Sequence, residues 1–409
     1  MRFYKICFLL SAFVFASCNI YRTAQIWTDQ PEFALYGELF NASQNKYKVA
    51  VRYFDFPVTE LNKHKRPDII VASRIKNKNT SSNFKSINGL FGPKKLARSN
   101  FYPKILFSGR IDRGQYLLPV SFNIPAFIFA KNKGAAMSNQ YTAGFDEIKK
   151  MSKEYNTINR GVYTRMGFSP LWNGNFLLST AQLFGASFKD GNPLEWDAAA
   201  LEKAMVYINK WTNEINSNPQ AEDDFNFRYF FEPPEKLIQS GRILFSYMAS
   251  EDLFMLSEES KNQLDFRWVM EQGKIMVSED MVYLGMPKRV SSKKAAKAFI
   301  YWFFTVENQR RILDYSKANR INENIFGICG GFSVLSPVTE QIYPLFYPEL
   351  TGKMPPQEYY ASTSILPSNW LILKERIVMP YLNERVRMDR QNEAYPMERR
   401  IADWIRMNH

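Results

Sequence analysis

The chain has 409 residues, 45% of them hydrophobic and 15% aromatic, enough to build the cores of two ordinary domains. Its formal net charge is +13, but the basic residues are spread along the chain apart from local clusters such as Lys63, His64, Lys65 and Arg66, so the reading is a solvated basic surface, with attraction to anionic lipid as the alternative and nucleic-acid binding disfavoured. The only histidines, His64 and His409, are far apart and outside any Cys/His/carboxylate cluster, which argues against a structural zinc site and a Ser-His-Asp hydrolase.

The first eighteen residues have the layout of an export signal. Arg2 and Lys5 precede an uncharged apolar run from Ile6 to Phe15, and the small residues Ala16 and Ser17 precede Cys18. That run is shorter than the roughly 20 residues a spanning helix needs. Two small residues before a cysteine are also what lipoprotein processing reads, with acylation of the thiol and cleavage just before it; Phe15 stands where Leu is usual. The expectation is a signal peptide over residues 1–17 and lipid on Cys18, the alternatives being an ordinary cleaved signal and, less favoured, an uncleaved anchor. Cys7 then leaves with the signal, Cys18 is acylated and Cys329 has no partner, so no disulfide is expected.

Apolar bursts alternating with helical patterns follow, which predicts an α/β chain without repeats. Gln25–Thr28 reads as a strand, Glu32–Asn41 as a helix with Phe33, Tyr36 and Phe40 on one face, and Lys48–Phe54 as a second strand. The continuous apolar run Asp68–Ala72 predicts a buried parallel strand, completing a βαβ start. Residues 77–100 are polar and basic and read as irregular. Tyr116–Ala130 reads as a strand that bends at Asn123 and Pro125 and continues into another domain.

Asp197–Asn216 predicts a helix capped by Asp197, with Leu201, Met205, Ile208, Trp211 and Ile215 in one stripe. Glu222, Asp223 and Asp224 read as a solvated loop. Ile243–Tyr247 reads as a strand. Ser292 is the expected cap of a helix to Thr305 that buries Ala296, Phe299, Ile300 and Phe303, with Val306–Tyr315 continuing it or forming a second helix. A helical region from Ser368 to about Arg387 is expected to break at Pro380. The charged tail 388–409 keeps Tyr395, Ile401 and Trp404, as a short amphipathic helix would.

Several segments in order resemble the extracellular solute-binding proteins of ABC importers, in the branch that binds sugars and related solutes. They are IWTDQPEFALYGELFN (26–41), PDIIVA (67–72), YLLPVSFNIPAFIFAKN (116–132), FSPLWNGNFLLSTAQLFGASF (168–188), FSYMASEDLF (245–254), YLGMPKRVSSKKAAKAFIYWFFTVENQRRIL (283–313) and GGFSVL (330–335). The segment 77–100 and the charged tail depart from the pattern.

The resemblance implies an α/β, two-lobe periplasmic-binding-protein-like clamp, each lobe a sheet flanked by helices. The lobes would be discontinuous, with an N-lobe of 18–125 and 285–332 and a C-lobe of 126–284 and 333–409 joined by hinge crossings. It further implies a monomer without catalytic residues, metal or cofactor, which binds a small solute of the sugar class and delivers it to an ABC permease. The localisation implied is periplasmic or cell-surface, on a membrane through the lipid of Cys18.

Sugar hydroxyls need paired donors and acceptors, and sugar C–H faces need flat aromatic surfaces. Loops after strands supply the candidates. Asp29 and Glu32 suit acceptor roles, Glu32 equally a helix N-terminus. Arg74 is a donor or a plain surface residue, and Asn123 lies at the first crossing. Trp172 is a stacking platform or core; Asn173 bonds a hydroxyl or makes the turn. Tyr247 and Asp252 flank a strand end, with Asp252 a possible helix cap. Gly330, Gly331 and Phe332 form a tight turn that offers backbone N–H groups or acts as a hinge. A non-transport receptor or adhesive lipoprotein on the same fold is one rival reading. A secreted glycosidase, which needs only two carboxylates, is another.

Overall fold

The computed structural model describes residues 23–62, 66–362, 364–388 and 395–408. The expected signal peptide, Cys18, His64 and His409 lie outside them. The chain divides into two compact units, neither continuous in sequence. The first runs to Ser121 and adds Met281–Asn322 and Gly327–Ile342; the second is Phe122–Asp280, Glu323–Phe326 and the chain from Tyr343. The expected lobe boundaries are 125/126, 284/285 and 332/333; the units change at 121/122, 280/281, 322/323, 326/327 and 342/343.

The first unit is built on a six-stranded sheet in the order Phe332–Ser333, Leu117–Phe122, Val282–Gly285, Ile69–Ser73, Thr23–Thr28, Lys48–Tyr53. The last three run parallel to one another, with Ile26 opposite both Val51 and Ile69. Val282–Gly285 is antiparallel to both its neighbours. Ile69, Ile70, Val71 and Ala72 are fully buried, as a central strand covered on both faces requires. The helix Phe33–Ser43 buries Phe33, Tyr36 and Phe40. They meet the helix Lys293–Phe303 in a ring cluster, with Phe33 to Phe303 at 5.4 Å and Phe40 to Phe299 at 5.4 Å. A Cβ on Gly37 would sit 2.9 Å from Val51 Cγ2, so only glycine lets this helix lie so close to the sheet.

Two details differ from the sequence reading. Ser292 makes no side-chain cap to the helix Lys293–Phe303. Its backbone N–H instead donates to Asp68 Oδ1 at 2.8 Å, drawn there by a buried carboxylate. Residues 77–100 contain short helical turns, Thr80–Asn83, Asn88–Leu90 and Arg98–Asn100, and send Phe84, Ile87, Leu90 and Leu96 into the core, so this stretch is anchored despite its polar composition. The helix Val306–Ala318 is separate from the one before it.

The second unit has a four-stranded sheet in the order Phe245–Ala249, Pro125–Ala130, Leu264–Val269, Thr142–Ala143. The long apolar stretch of the sequence is therefore two strands, Leu117–Phe122 in the first sheet and Pro125–Ala130 in the second. Pro125 tolerates its strand position because it begins the strand. Beside the sheet lies the helix Ala198–Ile215, with Leu201, Met205, Ile208 and Trp211 buried and Asp197 accepting from Ala200 N–H at 2.9 Å as its cap. The helix Met379–Arg387 packs on it, and Asn209 Nδ2 donates to the Val386 carbonyl at 2.7 Å. Pro380 falls in the first turn of Met379–Arg387; the irregularity is a widened turn over Lys374–Val378, just ahead of it. The tail forms the helix Met397–Asn408, with Met397 and Ile401 buried in this unit's core.

Asp68 is fully buried and its carboxylate accepts four hydrogen bonds: Gln25 N–H at 2.9 Å, Ser291 N–H at 2.7 Å, Ser291 Oγ at 3.1 Å and Ser292 N–H at 2.8 Å. Asp68→Ala strands three backbone donors and is expected to destabilise the first unit by about 3 kcal/mol. Denaturant unfolding checks this; a loss below about 1 kcal/mol contradicts it.

Candidate functional site

In the first unit the candidates gather at the carboxyl ends of the parallel strands, where open α/β sheets place ligands. Asp29 follows Thr23–Thr28 and Arg74 follows Ile69–Ser73. The Asp29 carboxylate accepts from Ser73 N–H at 3.1 Å, Ser73 Oγ at 3.0 Å and Gln30 Nε2 at 2.7 Å. Burial raises its pKa above the usual aspartate value, opposed by these hydrogen bonds and by the Arg74 charge. Arg74 is exposed and its backbone is left-handed at φ 57°, which ends the strand and turns the chain beside Asp29.

Glu32 precedes the first residue of the helix Phe33–Ser43 without making a side-chain cap bond, and its Oε2 is buried with no hydrogen-bond partner among the described residues. Desolvation raises its pKa, and the nearby Asp29 charge adds to this. Glu32 also acts electrostatically on Tyr36 and Cys329, whose ionisations burial pushes well up. Tyr36 Oη accepts from Cys329 N–H at 3.3 Å. Sequence reasoning did not single out Ser73 or Tyr53 here; the Tyr53 phenol is raised chiefly by its hydrogen bond to Asp55, with the Asp29 and Glu32 charges adding less. Their signal was position alone: Ser73 and Tyr53 end strands parallel to the one leading to Asp29.

The turn at Gly330 belongs to the same unit. Cys329 at φ 49° and Gly330 at φ 68° are both left-handed between Ile328 and Gly331, which exchange backbone hydrogen bonds at 3.1 and 3.2 Å. This is the backbone of a tight two-residue hairpin turn. The Gly331 N–H is thus spent on Ile328, and Phe332 is fully buried in the sheet, so neither presents the free group that the sequence reading gave it.

In the second unit Asn123 Oδ1 accepts from Ser250 Oγ at 2.6 Å, while Ser250 Oγ accepts from Ile124 N–H at 3.2 Å. Ser250 begins the short helix Ser250–Met255, and Asp252 lies exposed in its first turn. The cap position is Ala249, so Asp252 is not the cap; desolvation of its carboxyl by the surrounding chain raises its pKa. Trp172, Asn173 and Tyr247 come together. Asn173 caps the helix Gly174–Leu183 by accepting from Asn175 and Phe176 N–H, and its Nδ2 donates to the Tyr247 carbonyl at 3.3 Å. Trp172 is half-buried and stacks on Phe225 at 5.5 Å and 20°. Tyr247 is buried beside Phe127 and Phe176, and burial pushes its phenol well up.

Glu222 was expected in a solvated loop. It instead lies within the helix Pro219–Arg228 and is fully buried. Its carboxylate accepts from Ser169 Oγ, from Leu171 N–H at 3.3 Å and from Asn216 Nδ2 at 2.8 Å. Burial raises its pKa to about 7 against those hydrogen bonds. The Trp172 indole N–H donates to the Glu222 carbonyl at 3.3 Å, so this carboxylate and the Trp172 turn form one assembly. Among the described residues no group of three or more His, Cys, Asp or Glu could hold a metal, and no helix is long and apolar enough to cross a membrane.

No protein-family model matches the sequence, and no curated protein does. Solved structures do. An ABC substrate-binding protein of Listeria monocytogenes in complex with cycloalternan is similar over 94% of this chain and 98% of its own, at a TM-score of 0.60 and 14% identity. The fold is that of the sugar-binding solute-binding proteins of ABC importers. The cyclic α-maltosyl-1,6-maltose binding protein of Arthrobacter globiformis has a TM-score of 0.60 and 14% identity over 89% of this chain and 93% of its own. The maltose-maltodextrin binding protein of Alicyclobacillus acidocaldarius has a TM-score of 0.55 and 14% identity over 94% of this chain and 99% of its own. These are binding proteins rather than enzymes.

The Glu222 assembly gives a pH dependence. A carboxyl with a folded pKa near 7 and an ordinary value of 4.5 takes up a proton on folding between those values, so stability is greatest below about 4.5 and falls as pH rises through 7. The contribution is about 3 kcal/mol at most. Melting temperature measured from pH 5 to 8 is expected to fall more steeply in the parent than in Glu222→Gln; parallel profiles contradict the assignment.

Proposed function

We propose that the chain is a lipid-anchored, extracytoplasmic solute-binding protein that captures a carbohydrate or similar small solute and delivers it to an ABC permease. The observation carrying this is the near full-length likeness to binding proteins whose named ligands are cycloalternan, cyclic α-maltosyl-1,6-maltose and maltose or maltodextrin. Both the breadth of the likeness and the chemistry at the strand ends support the reading.

Asp29 and Glu32 are the proposed hydroxyl acceptors and Arg74 a donor from the first unit, with the Gly330 turn shaping their surroundings. In the second unit Asn123, Asn173 and Asp252 are the proposed polar contacts and Trp172 the aromatic one, its ring orientation fixed by Phe225 and by its indole N–H on the Glu222 carbonyl. A carboxylate acceptor in a desolvated place holds a hydroxyl more strongly than one in water. Solute binding would shift the population of states in a protein of this kind, because only ligand contacts that differ between states move the equilibrium. Anchoring through Cys18 would hold the carrier near the permease and raise its effective concentration.

Calorimetry with linear and cyclic malto-oligosaccharides and manno-oligosaccharides tests the solute. Binding of at least one is expected, and Asp29→Asn should weaken it by about tenfold or more, or about 1.4 kcal/mol. A panel without any ligand overturns the reading. For the anchor, metabolic labelling with a radioactive fatty acid should mark the parent and leave Cys18→Ser unlabelled; label retained on Cys18→Ser overturns the attachment site.

A further inference from the structure

Three strongly exposed phenylalanines of the second unit lie within five residues of one another. Phe227, Phe230 and Phe231 are 84%, 68% and 94% exposed. They end the helix Pro219–Arg228 and form the turn after it. The turn is held in shape: Phe230 N–H donates to the Phe227 carbonyl at 3.4 Å, Glu232 N–H to the Tyr229 carbonyl at 2.9 Å, and Pro233 and Pro234 follow. Tyr229 fixes the base of the turn, with its ring 5.0 Å from the buried Phe225 and the guanidinium groups of Arg228 and Arg242 at 5.9 and 5.5 Å. The phenylalanines are thus presented on a braced support.

A basic hairpin packs beside the same helix. The hairpin Thr157–Asn159 and Val162–Arg165 packs against this helix, and Arg228 Nη1 donates to the Tyr163 carbonyl at 2.8 Å. It carries Ile158 at 54% exposure on the face of its cross-strand partner Tyr163 and Val162 at 43% on the opposite face, together with exposed Arg160 and Arg165. Large apolar groups exposed together in this way mark interaction surfaces.

We propose that this aromatic turn and hairpin form a contact surface for an anionic lipid bilayer. Charge selects the occupant. The guanidinium groups of Arg160, Arg165, Arg228 and Arg242 lie on the hairpin and about the turn, suited to lipid phosphates, while the phenylalanines enter the acyl boundary. Asp224, Glu232 and Glu235 reduce the local positive charge without cancelling it. A second copy of this chain is disfavoured because two bodies of formal charge +13 repel. The proposal rests on geometry and charge and is independent of a lipid on Cys18.

The test compares the full chain with its Phe227→Ser, Phe230→Ser, Phe231→Ser triple variant, which shares the same N-terminus, so that their difference reads the patch alone. Protein-free vesicles of phosphatidylethanolamine with phosphatidylglycerol, and of phosphatidylcholine, are sedimented with each. The triple variant is expected to partition onto anionic vesicles about tenfold or more weakly. Arg160→Gln with Arg165→Gln should weaken anionic binding and leave phosphatidylcholine binding unchanged. Equal partition of parent and triple variant overturns the proposal. So does a parent that sediments as a dimer in solution and a triple variant that sediments as a monomer, since a second copy then covers the patch. Melting by circular dichroism verifies folding; should the triple variant fail to fold, Phe231→Ser alone, at the most exposed position, is read in its place, with weaker anionic partition than the parent expected and equal partition overturning the proposal.

Discussion

The first unit depends on one buried carboxylate. Asp68 stands just before the central strand Ile69–Ser73 and binds the backbone of a neighbouring strand at Gln25 and of a distant segment at Ser291 and Ser292. Those donors would otherwise be orphaned where the chain enters the helix Lys293–Phe303. A charge taken out of water at this depth is tolerable only because four hydrogen bonds replace its hydration. The bonds also fix where that helix starts, which aligns Phe299 and Phe303 with Phe33 and Phe40. The aromatic layer over the sheet follows from that register.

The second unit solves the same problem with Glu222, from within a helix. Of three consecutive acids, Asp223 pairs with Arg387 and Asp224 accepts from Gln220 Nε2 at 2.7 Å on the exposed side, while Glu222 turns inward to Ser169, Leu171 and Asn216. Helical spacing separates neighbours by about 100°, so adjacent residues need not share an environment. The carboxylate fixes the turn that carries Trp172, and Phe225 from the same helix packs against that ring. A structural group thereby sets the orientation of a candidate binding group.

What could be read from the sequence was local. DIIVA declared a buried strand because nothing polar interrupts it, and the stripe Leu201 to Trp211 declared a helix face, with Asp197 capping it three residues before its Ala200 donor. Ser292 looked as good a cap as Asp197, but its role is decided by Asp68, which lies far away in the sequence. Glu222 and Trp172 were obscure for the same reason: Ser169, Asn216 and Phe225 become their neighbours only in the folded unit. Within the candidate site, Asp29 and Arg74 were visible because each directly follows a strand. Ser73 and Tyr53 were not singled out, because a strand's last residue looks like the rest of the strand until its parallel neighbours are known.

The order of strands in the larger sheet has a consequence for biosynthesis. Val282–Gly285 lies between Leu117–Phe122 and Ile69–Ser73, joining strands that the ribosome makes much earlier. Until that late segment emerges, the early strands have an open seam where the sheet should be continuous. The nascent chain cannot close its first half by itself, since non-local pairing must wait for both partners. Delayed closure of this kind keeps a long polypeptide threadable during synthesis, the state in which it can be passed through a narrow channel before it sets.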